Sequence, residues 1–600
     1  MLDFNKYYNN IYIIESYNHW DLSKIDFNFD KDLVLTFDFK LKREIQLKKG
    51  SCFYIDNIVE PLEMEENNHL ASVFFKNWHS DENGKDIFNY LNISFGFAFR
   101  IHIWSEYLYI VRLMANLNKI KNISYKKIFV FEKDNIISKC LFELNLVFSR
   151  FKNSENNIKE NYFFDIHTYM KNSLEQKRSS IFSKRYFLLH AIKILNRINI
   201  IFNLTKNKKN IFVQVYHPTI DIINELLKNK KINIFTPKPF LKKDFSRILY
   251  SDTIPERKFN VNFEILARDY LKEFQLKKWN KLILYDSIDI SSIVYDEISS
   301  NITKILPKAL YYVKNSILFF EKRKFDLEIL FSNLGLSETI VDCVLKHKNT
   351  TNYLIINGLM SGSFCDEAKY ALYINSYSES IKRNYFNDSE NVLCLGDPRM
   401  DKYINYSYPK NIDRINPTIT IGTSGFNNLD LNSYTAIEFE FMFDILTSFL
   451  YLKNLGYNFD LIIKVRPNGF LSQYQSFHLE YFESLNIEIL TDLPMIDVLR
   501  KTDLYISIYS QTIFEASCLG IPVIYYKKDK EYLDPPFDNK SELVTASSVE
   551  DLKNIYLEFL NNSDIFTPFL DKKVMEKYIG PLDGKNLERN LSFIYKLIEN

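Results

Sequence analysis

Glycine and proline are scarce in this chain, 14 and 16 among 600 residues. That scarcity excludes collagen-like repeats, long flexible linkers and extended low-complexity disorder. Cysteine is scarcer still: six scattered residues (Cys52, Cys140, Cys343, Cys365, Cys394, Cys518) include no CxxC pair. Such spacing offers neither a disulfide framework nor a zinc knuckle, and it suits a reducing compartment. An excess of one charge is also missing, since 76 Lys and Arg against 75 Asp and Glu leave a net +1. A nucleic-acid binder therefore has no bulk electrostatic basis. The most apolar long window, YFLLHAIKILNRINIIFNL (186–204), contains His190, Lys193 and Arg197. Each central charge is costly in a bilayer, so the window reads as a buried or amphipathic helix. The first residues, MLDFNKYYNN, are acidic and polar and do not read as a signal peptide. A cytoplasmic protein is the expectation.

What is present is globular: 46% hydrophobic, 25% charged, and an aromatic share of 16%. Six hundred residues exceed one core, so two large domains are expected. The C-terminal third alternates strand and helix signals most regularly. TITIGTS (418–424), FDLIIKVRP (459–467), NIEILTD (486–492), DLYISI (503–508), IPVIYY (521–526) and ELVTAS (542–547) read as strands. SYTAIEFEFMFDILTSFLYLKNLG (433–456) reads as a long helix capped by Ser433 and stopped at Gly456. Nearly continuous apolar strands alternating with helices indicate a doubly wound parallel sheet covered on both faces.

Upstream, KKIFVFE (126–132), NIFVQVY (210–216), KINIFTP (231–237), KLILYDS (281–287), DLEILFSN (326–333), NYLIING (352–358), YALYINS (370–376) and NVLCLGD (391–397) are strand candidates. DLVLTFD (32–38) and CFYIDN (52–57) suggest a further unit at the N-terminus. The organisation expected is an N-terminal elaboration (1–120), a Rossmann-like domain (121–405) and a linker (406–416). A second Rossmann-like domain (417–560) and a helical tail (561–600) that packs back across the linker complete it.

Three stretches fall at one rim of the last sheet, where ligands of open parallel sheets sit. IGTSGFNN (421–428) opens a strand into a loop with Gly422, Thr423, Ser424 and Gly425, and glycine permits close backbone approach to a ligand. IIKVRP places Lys464 and Arg466 two apart at a strand end, hence on one face, where they can neutralise a diphosphate. In IYSQTIFEASCLGIPVIYY (508–526), Ser510, Gln511 and Thr512 start a helix, and Glu515 follows one turn later, within reach of ribose hydroxyls. The plainer reading of that turn is an ordinary capped helix, a cap being worth about 1 kcal/mol.

The order G-loop, long helix, K-x-R-P, then S-x-T-x-x-E-A-x-x-x-G-x-P resembles the donor-binding half of bacterial GT-B glycosyltransferases. Those acting on surface polysaccharides, with Kdo- and sialic-acid-type transferases among them, and the CDP-glycerol polyol-phosphate transferases look closest. LCLGDPRMDKY (393–403) is similar to the G-x-P-R-x-D segment that ends their N-terminal domain. The resemblance covers residues 326–560. It implies an α/β GT-B fold, two Rossmann-like domains facing across a cleft, and a nucleotide-sugar bound by the C-terminal domain. A glycan or glycolipid acceptor would bind the N-terminal one. It further implies metal-independent chemistry and no cofactor. Two departures stand out: Asn357-Gly358 replaces a His-Gly pair, and Arg466-Pro467 replaces a His-Pro pair. UDP-sugar 2-epimerases share the fold, but His478 is the sole histidine of the donor domain, with no acid/base pair around it.

An inverting mechanism needs a general base, for which Glu132 and Glu338 at strand-end loops are candidates, beside the plainer reading of both as surface carboxylates. A retaining mechanism needs none. The other readings left open are a polyol-phosphate transferase and a non-catalytic nucleotide- or glycan-binding protein of the same fold. The lone D-x-D, Asp30-Lys31-Asp32, precedes a strand instead of following one. FGFAFRIHIWSEYLYIVRLMANL (95–117) reads as a core helix, and YHP (216–218) as a structural strand end. The basic run FKLKREIQLKKG (39–50) reads as a solvated hairpin or loop, with peripheral inner-membrane contact through anionic lipid as the alternative.

Overall fold

The computed structural model describes residues 2–20, 25–60, 62–64, 66, 78–81, 83–131, 136–151, 208–237, 248–250, 261–277, 283–321, 323–331, 335–360, 369–404, 411–423, 436–466, 471–528 and 534–599. The apolar window 186–204 lies outside them. No helix among the described residues is long and apolar enough to cross a membrane.

Strands β1 (Tyr7–Ile14), β2 (Leu33–Thr36), β3 (Ser51–Tyr54), β4 (Ser124–Phe131) and β5 (Phe148–Phe151) form a parallel sheet of order β3-β2-β1-β4-β5. β4 was expected to open the second unit at residue 121. It pairs instead with β1, from Tyr7 opposite Ser124 to Ile13 opposite Val130. The N-terminal elaboration is thus a doubly wound unit in its own right, and its described strands run through Phe151. The expected boundary at 120 cuts between two of its central strands.

The second sheet holds β6 (Lys209–Val213), β7 (Ile232–Thr236), β8 (Ile248–Tyr250), β9 (Leu327–Phe331), β10 (Asn352–Ile355), β11 (Tyr373–Asn375) and β12 (Val392–Leu393). Its order is β8-β7-β6-β9-β10-β11-β12, again parallel. KLILYDS does not join it: Leu284–Tyr285 pairs antiparallel with Ile288–Asp289 in a separate short hairpin. The third sheet holds β13 (Thr418–Gly422), β14 (Asp460–Lys464), β15 (Ile487–Leu490), β16 (Leu504–Ser507), β17 (Val523–Tyr526) and β18 (Thr545–Ala546), ordered β15-β14-β13-β16-β17-β18. In all three sheets the chain starts at the centre, winds outward, and then returns to the far side of its first strand. The order reverses between the first and fourth strands, which is where such sheets open a crevice for ligands.

The central strands are buried on both faces, as β10, β16 and β17 show, so their sequences are apolar runs and not alternating ones. The second and third sheets are Rossmann-like domains that meet at their carboxyl edges, the GT-B arrangement. The C-terminal helix Asn586–Glu599 returns to the second sheet. Its Asn590 Oδ1 accepts from Tyr353 Oη (2.6 Å) and Asn375 Nδ2 (3.0 Å), while Ile594 and Ile598 join that domain's core.

The N-terminal unit touches both domains. It shares one apolar core with the helices Ser291–Phe320 and Leu336–His347 of the second unit. On the other side the basic run folds as helix α1 (Phe39–Leu47), not as a loop, because Asp38 caps it by accepting from Leu41 N. Phe39 inserts among Phe439, Phe443, Phe477 and Tyr481 of the third unit. Lys42 Nζ (3.0 Å), Arg43 Nη2 (2.7 Å) and Tyr54 Oη (2.6 Å) all converge on the buried Glu440. Two of the run's cations are therefore spent inside the molecule.

Candidate functional site

The carboxyl edges of the second and third sheets meet at residues 397–403 and 510–515. After β12 the chain makes a 3₁₀ turn at Pro398–Met400, capped by Asp397, which accepts from Arg399 N at 2.9 Å. The Arg399 guanidinium folds onto the same fully buried carboxylate: Nε lies 3.0 and 3.1 Å from its two oxygens and Nη2 2.8 Å from one. Nη2 also donates to the Asn357 carbonyl (2.9 Å) and to Gln511 Oε1 (3.0 Å), and Gln511 Nε2 donates to Asp397 Oδ2 (2.6 Å). Gln511 thus ties the third unit to a closed ion pair of the second. The proximity of Asp397 raises the Arg399 pKa despite burial, so its charge is fixed but already matched.

The helix Thr512–Cys518 is short, seven residues, and its hydroxyls serve one another. Ser510 Oγ lies 2.8 Å from Thr512 Oγ1, which lies 2.5 Å from Tyr505 Oη. One turn on, Glu515 Oε2 accepts from Tyr403 Oη at 2.5 Å. Burial pushes the Glu515 carboxyl above its ordinary range, opposed by the Tyr403 hydrogen bond and then by Lys402 and Arg399.

At the centre of the third sheet, the Gly422 carbonyl accepts from Ser507 Oγ at 2.9 Å. A Cβ at Gly422 would overlap the Tyr505 hydroxyl, so glycine is required by a close side-chain approach. Thr423 is buried, and its N–H donates to the Lys464 carbonyl at 3.2 Å. Ser424 and Gly425 lie outside the described residues. Lys464 and Arg466 do not act as a pair. Lys464 is the last residue of β14 and is buried, its ammonium donating to the carbonyls of Val465 (2.9 Å) and Thr491 (2.7 Å). Arg466 lies just past the strand and is exposed.

Glu132 lies outside the described residues. Glu338 starts the helix Leu336–His347, accepts from Ser337 Oγ at 2.5 Å, and folds back over Gly335, where its carboxylate occupies the space of a Cβ.

No family model matches this sequence, and no curated protein matches it. Solved structures resemble its fold. The UDP-GlcNAc 2-epimerase of Neisseria meningitidis bound to UDP-GlcNAc is 14% identical, over 65% of this chain and 100% of that one, at a TM-score of 0.38. Acinetobacter baumannii MurG is 10% identical, over 65% and 99%, at 0.37. A variant of the wall teichoic acid polymerase TagF with CDPG is 13% identical, over 73% and 98%, also at 0.37. Likeness of this degree assigns no activity.

His217, in the YHP expected as a structural strand end, is exposed at the rim of the second sheet. It follows β6, the first strand of the second sheet, at the point where the strand order reverses. Tyr216 stacks there on Phe331 at the end of β9, with centroids 4.3 Å apart and planes 11° apart. The turn His217–Thr219 packs against Pro398–Met400. Pro218 and Thr219 are buried while the imidazole is exposed. Partial desolvation, then the positive charges of Arg399 and Lys402, hold it below the ordinary histidine range. The sequence carried one usable signal: a histidine directly after the first strand of a doubly wound unit.

Proposed function

We propose that this chain is a GT-B glycosyltransferase moving a sugar from a nucleotide-sugar donor to a surface glycan or glycolipid acceptor. The observation that carries the reading is His217. It sits at the switch point of the second sheet, beside the Pro398–Met400 turn whose Arg399 donates to Gln511 of the third unit. Below its ordinary pKa range, the imidazole is neutral near pH 7 and can take the acceptor hydroxyl proton. The acceptor oxygen then attacks the anomeric carbon as the bond from that carbon to the leaving phosphate oxygen breaks. The electron pair leaves with the nucleotide, whose charge Arg466 would neutralise. Lys464 would act through the backbone it holds. The sheet rim at Gly422 and Ser510–Thr512 would seat the nucleotide, and Glu515 would accept from ribose hydroxyls. His217 takes the role first sought in Glu132 and Glu338.

The test has two readouts. Thermal shift with UDP, CMP, CDP, GDP and ADP should show one nucleotide stabilising the wild type by about 2.7 kcal/mol at roughly 100 times its dissociation constant. Glu515→Ala should lose that shift. His217→Gln should keep it and lose about 10²–10⁴-fold in turnover. Activity should fall with pH through the depressed His217 pKa, because the base is consumed by protonation. A response to CDP alone would turn the reading toward polyol-phosphate transfer. Full turnover by His217→Gln would remove the assigned base, and binding without turnover in any acceptor screen would leave a binding protein of this fold.

A further inference from the structure

Gln511, which precedes the helix Thr512–Cys518, and Glu515, one turn on within it, are both held by one short segment of the second unit. Gln511 meets Asp397 and Arg399, and Glu515 meets Tyr403. Tyr403 lies in the short helix Asp401–Ile404, yet its ring packs in the core of the third unit with Ile513, Ala516, Leu499 and Tyr505. The same segment holds the return helix. Asp401 accepts from the backbone N–H groups of Asn586 (3.1 Å) and Leu587 (2.9 Å), and Asn586 Nδ2 donates to the Asp397 carbonyl (3.1 Å). Residues 397–403 are therefore fixed from three sides before any ligand arrives.

We propose that Tyr403 is a positioning residue for Glu515, holding one carboxylate oxygen so that the other is turned to the donor. The inference rests on the donor-site reading of Glu515 given above. The tyrosine donates to Oε2, and among the described residues no donor is seen on Oε1, which can accept from a ribose hydroxyl. The groups that face this carboxylate are Lys402, Arg399, Asp397 and Tyr403 of the segment, Tyr505 of β16 and Cys518 of its own helix. Burial favours the protonated carboxyl, and Tyr403 is the first of the groups opposing it. A hydroxyl that donates to a carboxylate stabilises the charged form only. Its removal would raise the Glu515 pKa and make donor binding fail at higher pH.

The experiment measures nucleotide affinity from about pH 5 to pH 8 by calorimetry, with the nucleotide identified in the panel above, on wild type, Tyr403→Phe, Glu515→Gln and the double variant. Tyr403→Phe keeps the packed ring and removes only the hydroxyl. The midpoint at which binding is lost on acidification should move up by about one pH unit, with binding about tenfold weaker below it. Glu515→Gln should abolish that acid limb, and Tyr403→Phe should then add no pH dependence. A pH-independent loss, or no change, on a wild type that does bind would overturn the positioning role and leave the donor site standing. No binding of any panel nucleotide by folded wild type would remove the donor site and this inference together.

Discussion

Glu440→Gln weakens the contact between the N-terminal unit and the third unit with one atom changed. The carboxylate is buried, with 5% of its side chain exposed, and takes Lys42, Arg43 and Tyr54 at 2.6–3.0 Å. Lys42 also lies over the Tyr54 ring at 4.0 Å, and Arg43 over that of Phe443 at 3.9 Å. Burial pushes the Glu440 carboxyl up, but the two cations and the Tyr54 hydroxyl outweigh it and hold it below its ordinary value. Burial pushes Lys42 below its own range; the Glu440 carboxylate opposes this without cancelling it, and the like charge of Arg43 adds to the lowering. The directions differ because Glu440 collects three donors, and we take the cluster as ionised. Removing one partner of a buried pair costs about 3–5 kcal/mol. Lys42 and Arg43 keep 17% and 21% of their side chains in water, which places Gln at the lower end, about 3 kcal/mol. For a unit of this size that is roughly 6–12 °C in melting temperature by scanning calorimetry. The loss should also be pH-dependent. A depressed carboxylate contributes stability present above its unfolded value of 4.5 and lost as pH falls through the folded one. Wild type and Glu440→Gln should therefore converge in acid. A difference below about 0.5 kcal/mol at neutral pH, or one that persists unchanged in acid, would refute the ionised cluster.

Two further perturbations follow from buried contacts. Glu328 is fully buried on β9 beside Asp342, whose own oxygens take Asn352 Nδ2 (2.8 Å) and Lys346 Nζ (2.7 Å). Burial, then the charge of Asp342, raises the Glu328 pKa well above 4.5, so its stability contribution is complete below 4.5 and lost as pH rises through the folded value. Urea midpoints of Glu328→Gln should match wild type in acid and exceed it increasingly as pH rises; parallel curves would show that Glu328 does not titrate this way. Gly422→Ala should cost about 1–3 kcal/mol through collision with the Tyr505 hydroxyl. Tyr505→Phe should restore part of that loss, and a cycle with no coupling between the two would mean that the collision is not what glycine avoids.

The fold of the third unit was legible because its signals are local: apolar runs, a helix stopped at Gly456, and hydroxyl-rich strand ends at the right intervals. The site was legible only as positions. Gln511 and Glu515 do stand at the sheet rim, but nothing in S-Q-T-x-x-E says that both side chains are claimed by residues more than a hundred positions earlier. Lys464 shows the same limit. Its place on the strand follows from the pattern, whereas its turn toward two rim carbonyls depends on where Thr491 lies.

The N-terminal unit was misread for a reason of the same kind. β4 looks alike whether it opens a new sheet or completes an old one, and only its pairing with β1 decides. Yet its docking left traces at both ends. The helix EFEFMFDIL carries acids among residues that are otherwise all apolar, and a buried acid requires a partner. FKLKRE carries cations beside an aromatic, which suits a charged group lying along an apolar surface. The two segments stand 397 residues apart between Arg43 and Glu440. Each is odd alone and explained by the other, so a buried acid in one helix and an amphipathic basic helix elsewhere are best read as halves of one contact.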